Sequence, residues 1–477
     1  MAEPITFAAL DGAEARVPHE ELEALGGELK GKILEPGDPG FDAAIQLWNA
    51  MAARQPACVV QPASTSDVVA AVRFARDRNL LLTIKGGGHN IAGTAVADRA
   101  LTLDMSRLRD VEVDRERRVA RAGPGCLLRD VDAATQAHAL AAVLGFVSET
   151  GAAGLTLGGG FGYLTRRYGW TVDNLEEVEV VLAEGSTVRA GREEHPELFW
   201  GLRGGGGNLG VVTEFVHRLH PVGPEITGGL IAWSADRTDE VLSLYRDLTA
   251  VAPRDLTLAA TMRLAPPAPF VPEKWHGKPI VGMVVCHHGD PARAETDLAP
   301  LRGFGSPILD IVTRKPYVQQ QAMLDATQPK GLCDYWKSEF LPGLPQGLLD
   351  AVAWRAGLIA SPRSQVVLFH IGGALNQLPA DEGAVGNRDA QYVCGIASAW
   401  PPGDGAAAEC QKWVRSSWEA VRPFSTGGNY VNFQTADEDE SRTRAAYGPN
   451  FSRLAAVKAQ YDPHNFFRVN RNVTPAT

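Results

Sequence analysis

The sequence predicts an α+β protein with more than one domain, and three observations support this. The chain has 477 residues, whereas single hydrophobic cores rarely grow past about 250–300 residues. Between residues 59 and 84 an apolar run, a helical pattern and a second apolar run follow one another, and a glycine cluster comes next. After about residue 223 prolines cluster and strand patterns alternate with amphipathic helices, which indicates a second domain packed on the first.

Short strands and helices are predicted to alternate along the first part of the chain. Ser64 to Asp67 offer N-caps for a helix whose apolar residues recur at helical spacing. A helical stretch is also predicted to begin at Phe41 and run to about Ala52. The remaining predictions are strands at 59–60, 80–84, 101–104, 118–122, 178–182, 211–218 and 366–371, with helices at 64–79, 127–138 and 239–248.

Charge and composition exclude several classes of protein. Lys and Arg number 46 against 56 Asp and Glu, a net charge of −10, so a nucleic-acid partner is not expected. The chain shows neither a signal-peptide pattern nor an apolar run long enough to cross a bilayer, so we expect no membrane partner and a cytoplasmic location. The six cysteines lack C-x-x-C spacing, so we expect no metal site and mostly buried thiols.

Glycine clusters carry the strongest chemical signal. The chain has 50 glycines, concentrated at 86–88, 158–160 and 204–207. A phosphate is bound by converging backbone N–H groups, and residues without a Cβ let the main chain come close. The run TIKGGGHN at 83–90 fits this directly after a strand, although alone it fits an ordinary glycine turn equally well.

The other two clusters indicate a long ligand. The run at 150–162 does not fit the G-x-G-x-x-G fingerprint with its later acidic residue, so an NAD site of the Rossmann type is not supported. The run at 203–210 leads into a strand rather than a helix. Three such loops in one chain suit a ligand that is longer than a single phosphate.

Four motifs together resemble the berberine-bridge-enzyme-like FAD-linked oxidases of the vanillyl-alcohol oxidase and p-cresol methylhydroxylase superfamily. They are KGGGHN at 85–90, GLTLGGGFG at 154–162, LRGGGGNLGVV at 202–212 and YDPHNFFRVN at 461–470, and the resemblance extends over about residues 55–475. It implies a two-part FAD-binding domain of the vanillyl-alcohol oxidase type, residues 1–222 with a C-terminal segment 431–477. Residues 223–430 would form an α+β substrate-binding domain, with an antiparallel sheet over the flavin and helices on its outer face.

The resemblance also implies which residues bind the cofactor. In this family the first loop cradles the pyrophosphate and its histidine, here His89, is bonded to the C8 methyl group of the isoalloxazine. Some members add a second link from a cysteine, and the matching position here is Val147, so we expect one covalent bond. The other expected FAD contacts are Lys85, Gly86, Gly87, Gly88, Asn90, Gly93, Thr150, Gly151, Gly154, Leu157, Gly158, Gly160, Gly162, Gly210, Val212, Asn432 and Asn470. The amides of Asn432 and Asn470 could contact flavin N and O atoms or could cap a turn.

Two residues are candidates for catalysis. Tyr430 and Asn432 match the family's Tyr-x-Asn motif, in which the tyrosine commonly acts as the base; a buried core tyrosine is the alternative. A tyrosine has a reference pKa of about 10, so it would need nearby cations or hydrogen bonds to ionise near neutrality. His370 lies in a predicted strand and would orient substrate or assist Tyr430, but strand alternation alone cannot choose its face. Arg388 is interpreted as structural.

The expected function is an oxidase. Hydride would pass from an alcohol, a sugar hemiacetal or an amine to covalent FAD, and dioxygen would reoxidise the flavin to give hydrogen peroxide. The alternatives are a dehydrogenase with another acceptor, a tailoring enzyme for a large polycyclic or glycosylated compound, and a flavin-binding protein without redox chemistry. The expected partners are a small-molecule substrate and dioxygen, with the chain a monomer or a homodimer.

Overall fold

The computed structural model describes residues 3–359 and 361–477. The part before residue 223 contains a four-stranded and a five-stranded sheet, together with two small sheets of two strands each. Its strands are β1 Ile5–Ala8, β2 Glu14–Val17, β3 Lys32–Leu34, β4 Cys58–Gln61, β5 Leu82–Lys85, β6 Leu101–Asp104, β7 Val111–Asp114, β8 Val119–Ala122, β9 Leu140–Ala141, β10 Leu175–Val181, β11 Thr187–Gly191, β12 Val211–Arg218 and β13 His220–Pro221. Its helices are α1 His19–Glu28, α2 Phe41–Ile45, α3 Thr65–Asp77, α4 Leu128–Gln136, α5 Ala152–Leu157, α6 Thr165–Tyr168 and α7 Pro196–Leu202.

The first of these sheets delivers the first glycine loop. Its order is β3-β4-β6-β5, with β4, β6 and β5 parallel. Strand β4 leads into α3, which Ser64 caps through a hydrogen bond from Asp67 N, and α3 returns the chain to β5. The glycines at 86–88 therefore begin at the carboxyl end of a parallel strand. The second sheet has the order β11-β10-β12-β8-β7 and is antiparallel throughout.

One large sheet dominates the part from residue 223. Its strands are β14 Glu225–Ser234, β15 Leu256–Leu264, β16 Pro279–His287, β17 Leu309–Asp310, β18 Thr313–Pro316, β19 Cys333–Leu341, β20 Gln365–His370 and β21 Tyr392–Trp400. Its helices are α8 Thr238–Val251, α9 Pro291–Arg302, α10 Tyr317–Gln321, α11 Gln346–Ala356 and α12 Ala407–Val421. All pairings in the order β17-β14-β16-β15-β20-β21-β19 are antiparallel.

The helices of this second part cover one face of the sheet. A core of Leu258, Ala260, Met262 and neighbouring strand residues packs against Val241 of α8 and Leu298 of α9, together with side chains from α11 and α12. The expected antiparallel sheet with helices on its outer face is confirmed. Because the outer face is filled by this core, only the inner face is left to line a site. We propose the domain boundaries given above, at residues 222 and 430.

The C-terminal segment is tied to the first part by a buried charge network. It contains α13 Glu440–Tyr447 and α14 Phe451–Tyr461. The ammonium of Lys458 donates to Asp462 Oδ2 at 2.6 Å and to Asn208 O at 2.6 Å. Asp462 accepts from the backbone N–H groups of Phe466 and Phe467 at 2.8 and 2.9 Å. The network therefore anchors the tail against the third glycine cluster.

Most sequence-based elements are confirmed, and one is wrong. The helix expected from Phe41 to about Ala52 ends at Ile45, and only a 3-10 turn follows at Ala50–Ala52. The chain leaves helical geometry because Trp48 N donates to Gly88 O at 2.9 Å, which draws this segment onto the first glycine loop. Five of the six cysteines are buried, as expected, and Cys333 is partly exposed. Across the described residues, none of the helices is both long enough and apolar enough to cross a bilayer.

Replacing Lys458 by Met tests the anchoring network. The variant leaves the carboxylate of Asp462 buried without its cation, and breaking a buried pair costs about 3–5 kcal/mol. The free energy of unfolding in urea measures this loss. Arg444→Met is the control, because it breaks the solvent-exposed pair of Arg444 with Glu440 at 2.7 Å, which is worth less than about 0.5 kcal/mol. Equal losses in the two variants would contradict the assigned role of Lys458.

Candidate active site

The main chains of the first two glycine loops touch. A Cβ placed on Gly87 would lie 2.4 Å from the backbone N of Gly151, and a Cβ on Gly151 would lie 2.4 Å from the backbone N of Gly87. Both distances are far below van der Waals contact, so neither position has room for a side chain. The approach of the two loops brings backbone groups from both into the wall of one cavity, as the binding of a phosphate requires.

This cavity has a volume of about 440 Å³ and lies between the first part of the chain, the C-terminal segment and the inner face of the large sheet. Many residues that the sequence singled out line it together. They are Gly86, Gly87, Gly88, His89, Asn90, Thr150, Gly151, Gly154, Leu157, Gly210, Val212, Tyr430, Asn432 and Asn470. The three glycine-rich runs at 83–90, 150–162 and 203–210 and the Tyr-x-Asn motif thus each contribute residues to one space, although they are distant in sequence.

Other predicted contacts lie behind the wall. Lys85 is buried, and its Nζ lies 3.3 Å from Asp104 Oδ1. A Cβ on Gly93, Gly158, Gly160 or Gly162 would overlap Ala52, Asn432, Thr171 or Leu144 respectively. These residues allow the loops to pack closely rather than facing the cavity. Val147 lines the cavity as well, while Cys126 is buried outside it.

The imidazole of His89 has a buried nitrogen that is free to form a bond with a ligand. Its Nε2 is buried and has no hydrogen-bond partner among the described residues. The ring stacks on Trp48, with centroids 5.6 Å apart and planes 17° apart. Burial, helped by the nearby charge of Lys330, lowers the pKa of His89 to about 3. A neutral imidazole keeps a nitrogen lone pair that can bond to carbon, so the residue fits a covalent tether.

Tyr430 presents its phenol group to the same cavity. Its oxygen accepts hydrogen bonds from Asn432 Nδ2 at 2.9 Å and from Gly160 N at 3.1 Å. Phe161 and Phe433 pack edge-on against its ring at 4.9 Å. Burial raises the pKa of Tyr430 to about 12, and the two hydrogen bonds oppose that rise only in part. The amide of Asn432 thus fixes the phenol oxygen of Tyr430, and it also packs against Gly158 of the second glycine loop.

The structure does not bring His370 to the cavity. Along β20, Val367 and Phe369 line the cavity, whereas Val366 and Leu368 belong to the core under the helices. Side chains alternate along a strand, so His370 lies on the outer face, where it stacks on Tyr392 at 5.1 Å. Burial and the charge of Arg166 hold the pKa of His370 well below its ordinary value. We therefore assign it no catalytic role.

Sequence reasoning missed several residues of the cavity wall. Arg471 lines it, and its Nη2 donates to Gln434 O at 2.7 Å while its Nε is buried without a partner among the described residues. Its position directly after Asn470 was a usable signal. Trp48 and Arg263 also line the cavity, and no local pattern distinguished them. Arg388 forms a buried pair with Asp173 at 2.7 Å, which agrees with a structural role.

Unpartnered polar atoms cluster where a long cofactor would bind. The buried Oδ1 of Asn470 and Nε of Arg471 add an acceptor and a donor to the unpartnered Nε2 of His89. Exposed backbone N–H groups and an arginine suit the phosphates of a cofactor. A free imidazole suits its ring system. The residues present are therefore compatible with FAD.

Comparison with known proteins places the site in a family. A model described as an FAD binding domain matches residues 56–191, and one described as berberine and berberine like matches residues 429–474. The (R)-6-hydroxynicotine oxidase of Paenarthrobacter nicotinovorans is 30% identical over 464 residues, which cover 94% of this chain and 97% of that protein.

Solved structures agree. The crystal structure of 6-hydroxy-D-nicotine oxidase from Arthrobacter nicotinovorans superposes with a TM-score of 0.81 at 26% identity, covering 94% of this chain and 99% of that one. The berberine-bridge-enzyme-like 1 protein of Physcomitrella patens has the same fold, with a TM-score of 0.85 at 21% identity over 96% of this chain and 99% of that one. The expected fold of the vanillyl-alcohol oxidase type is confirmed. The chain belongs to the berberine-bridge-enzyme-like family of FAD-linked oxidoreductases.

Proposed function

We propose that this oxidoreductase is an oxidase whose FAD is covalently attached to His89. The substrate, an alcohol, a sugar hemiacetal or an amine, would lose a hydride from carbon and a proton from the adjacent heteroatom. Dioxygen would take up the two electrons and two protons to give hydrogen peroxide. The observation that carries this proposal is the neutral imidazole of His89, unpartnered at its buried Nε2 beside the touching glycine loops.

The chain's own residues have distinct tasks in this scheme. FAD, when bound, supplies the acceptor for the hydride. The backbone at residues 86–88 and 151 holds the phosphates, and His89 fixes the ring system. Tyr430 takes the proton from the substrate heteroatom, and the N–H groups of Asn432 and Gly160 stabilise the charge on its oxygen.

The extent of the inner sheet face supports a second candidate, a tailoring enzyme for a large polycyclic or glycosylated compound. Strands β14, β16, β15, β20 and β21 all contribute to the cavity wall, so a substrate larger than a simple alcohol could bind across them. A dehydrogenase would use the same site with another acceptor. The name of the relative, an oxidase, supports the oxidase over the dehydrogenase. The release of stoichiometric hydrogen peroxide during turnover in air would distinguish these two activities.

Replacing His89 by Ala tests the covalent bond. After acid precipitation the parent protein keeps its yellow colour in the pellet, because a covalent bond survives unfolding. His89→Ala releases FAD to the supernatant or never acquires it. His138→Ala, a histidine outside the cavity, serves as the control and behaves like the parent. Mass spectrometry of the peptide that contains His89 gives the same answer directly, and an unmodified peptide in the parent would refute the attachment.

Replacing Tyr430 by Phe tests the base. With a pKa of about 12, the ionised fraction of Tyr430 rises about tenfold per pH unit in the range below that value. The anaerobic rate of flavin reduction should therefore rise with pH in the parent. Tyr430→Phe keeps its FAD, loses the pH dependence and is slower by about 10²–10⁴.

Tyr163→Phe is the matched control, because Tyr163 is a buried tyrosine outside the cavity wall. Its flavin reduction should follow the parent at every pH. An unchanged rate in Tyr430→Phe would remove Tyr430 as the base and leave it as a packing residue.

A further inference from the structure

An arginine and a glutamine lie side by side where the large sheet lines the cavity. Arg263 of β15 and Gln365 of β20 are directly opposite in the antiparallel pairing of the two strands. Both line the cavity on the inner face of the sheet, as Thr261 does two residues earlier. Arg263 Nη1 donates to Gln365 Oε1 at 3.3 Å, so the amide holds one edge of the guanidinium.

Arg263 has unused hydrogen-bonding capacity. A guanidinium has five N–H donors, and this one makes only the bond to Gln365 and a long bond from Nε to Leu264 O at 3.4 Å. Arg263 forms no salt bridge within residues 3–359 and 361–477, because none of the carboxylate oxygens there lies within 4.0 Å of its nitrogens. An arginine kept in a cavity without a carboxylate partner loses solvation and gains no pairing energy from the protein.

Acidic residues line two recesses next to Arg263, Asp236, Asp239 and Asp350 in one and Asp334 in the other, but none of them forms a salt bridge with it among the described residues. A side recess is lined by Arg263, Asp334, Trp336 and Arg363. Burial raises the pKa of Asp334 to about 7, so at neutral pH this carboxyl group carries only part of a negative charge. Burial lowers the pKa of Arg263, and the positive charge of the exposed Arg363 adds to this effect. Arg263 therefore keeps a positive charge that no carboxylate of the described residues pairs with directly, and its free N–H groups can pair with an anion.

Apolar residues form the wall next to Arg263 and Gln365. Ile280, which is directly opposite Arg263 in the pairing of β15 and β16, lines the cavity together with Val271 and Phe270. Between this end and Tyr430, the rings of Trp336 and Phe433 pack 5.1 Å apart, and Phe433 packs 4.9 Å from Tyr430. The rings of Trp336, which lines the side recess together with Arg263, Phe433 and Tyr430 thus form an aromatic stretch of the wall that ends at the phenol group proposed as the base.

We propose that Arg263 and Gln365 form an anion subsite that binds the carboxylate of an otherwise apolar substrate. The planar fork of an arginine matches the two oxygens of a carboxylate, and Gln365 orients it. This inference rests on the proposed function, because it assumes that the substrate occupies the space between the sheet and FAD. It narrows the substrate class to carboxylic acids with an apolar, preferably aromatic, body that carry an oxidisable alcohol or amine.

Binding of three pairs of probes to the FAD-containing protein tests the subsite. The probes are phenylacetate, 3-phenylpropionate and indole-3-acetate, each compared with its neutral amide by isothermal titration calorimetry. At least one carboxylate should bind about tenfold or more tightly than its amide, because a hydrogen bond to a charged group contributes more than one between neutral groups. If no carboxylate exceeds its amide, the subsite is refuted.

Two variants and a control assign the preference to Arg263. Arg263→Met should remove the preference and keep the thermal stability of the parent, since replacing an unpaired cation by an apolar side chain of similar length leaves no charge buried. Gln365→Leu should weaken the preference less than Arg263→Met does. Arg246→Met, on a partly exposed arginine of α8 that lies outside the cavity, should leave the preference unchanged. A preference that survives in Arg263→Met overturns the proposal.

The calorimetric readout separates this inference from the proposed function. Colourless protein that still binds carboxylates through Arg263 would defeat the oxidase proposal and leave the subsite standing. Yellow protein that oxidises substrates but shows no dependence on Arg263 would defeat the subsite alone.

Discussion

The contact between Gly87 and Gly151 is the constraint on which the site depends. Two loops from different places in the sequence meet main chain to main chain, and a methyl group on either residue would enter the other's backbone. Strand β5 ends directly before the first loop, and α5 begins directly after Gly151. The contact therefore fixes two secondary-structure elements relative to each other, and with them the backbone groups that line the cavity.

The large sheet lines the cavity because side chains alternate between the two faces of a strand. Alternate residues of β15 and β20 point either into the cavity or into the core beneath the helices. The same strands thus stabilise the second part of the chain with one face and line the cavity with the other. The buried pair of Lys458 and Asp462 closes the arrangement, because it holds the C-terminal segment, with Asn470 and Arg471, against the third glycine cluster.

Much of this could be predicted from local sequence. The glycine loops and most strands and helices are encoded in short stretches, where backbone preference and apolar spacing decide the structure. His89 and Tyr430 were singled out instead by the resemblance of their motifs to a known family. What the sequence predicted wrongly or missed depends on contacts between distant residues. The face of His370 follows from the register of β20 within the sheet, the end of α2 from a hydrogen bond between Trp48 and Gly88, and the exposure of Arg263 to the cavity from the packing of two parts of the chain.

The most direct test is the FAD content of Gly87→Ala compared with Gly343→Ala. A Cβ on Gly343 meets nothing within 4 Å, so that variant should carry as much FAD per chain as the parent, measured by absorbance of protein with parental circular dichroism. Gly87→Ala should lose most of its FAD, because the two loops must separate. Full FAD content in Gly87→Ala would contradict the view that contact between side-chain-free loops builds the cofactor site.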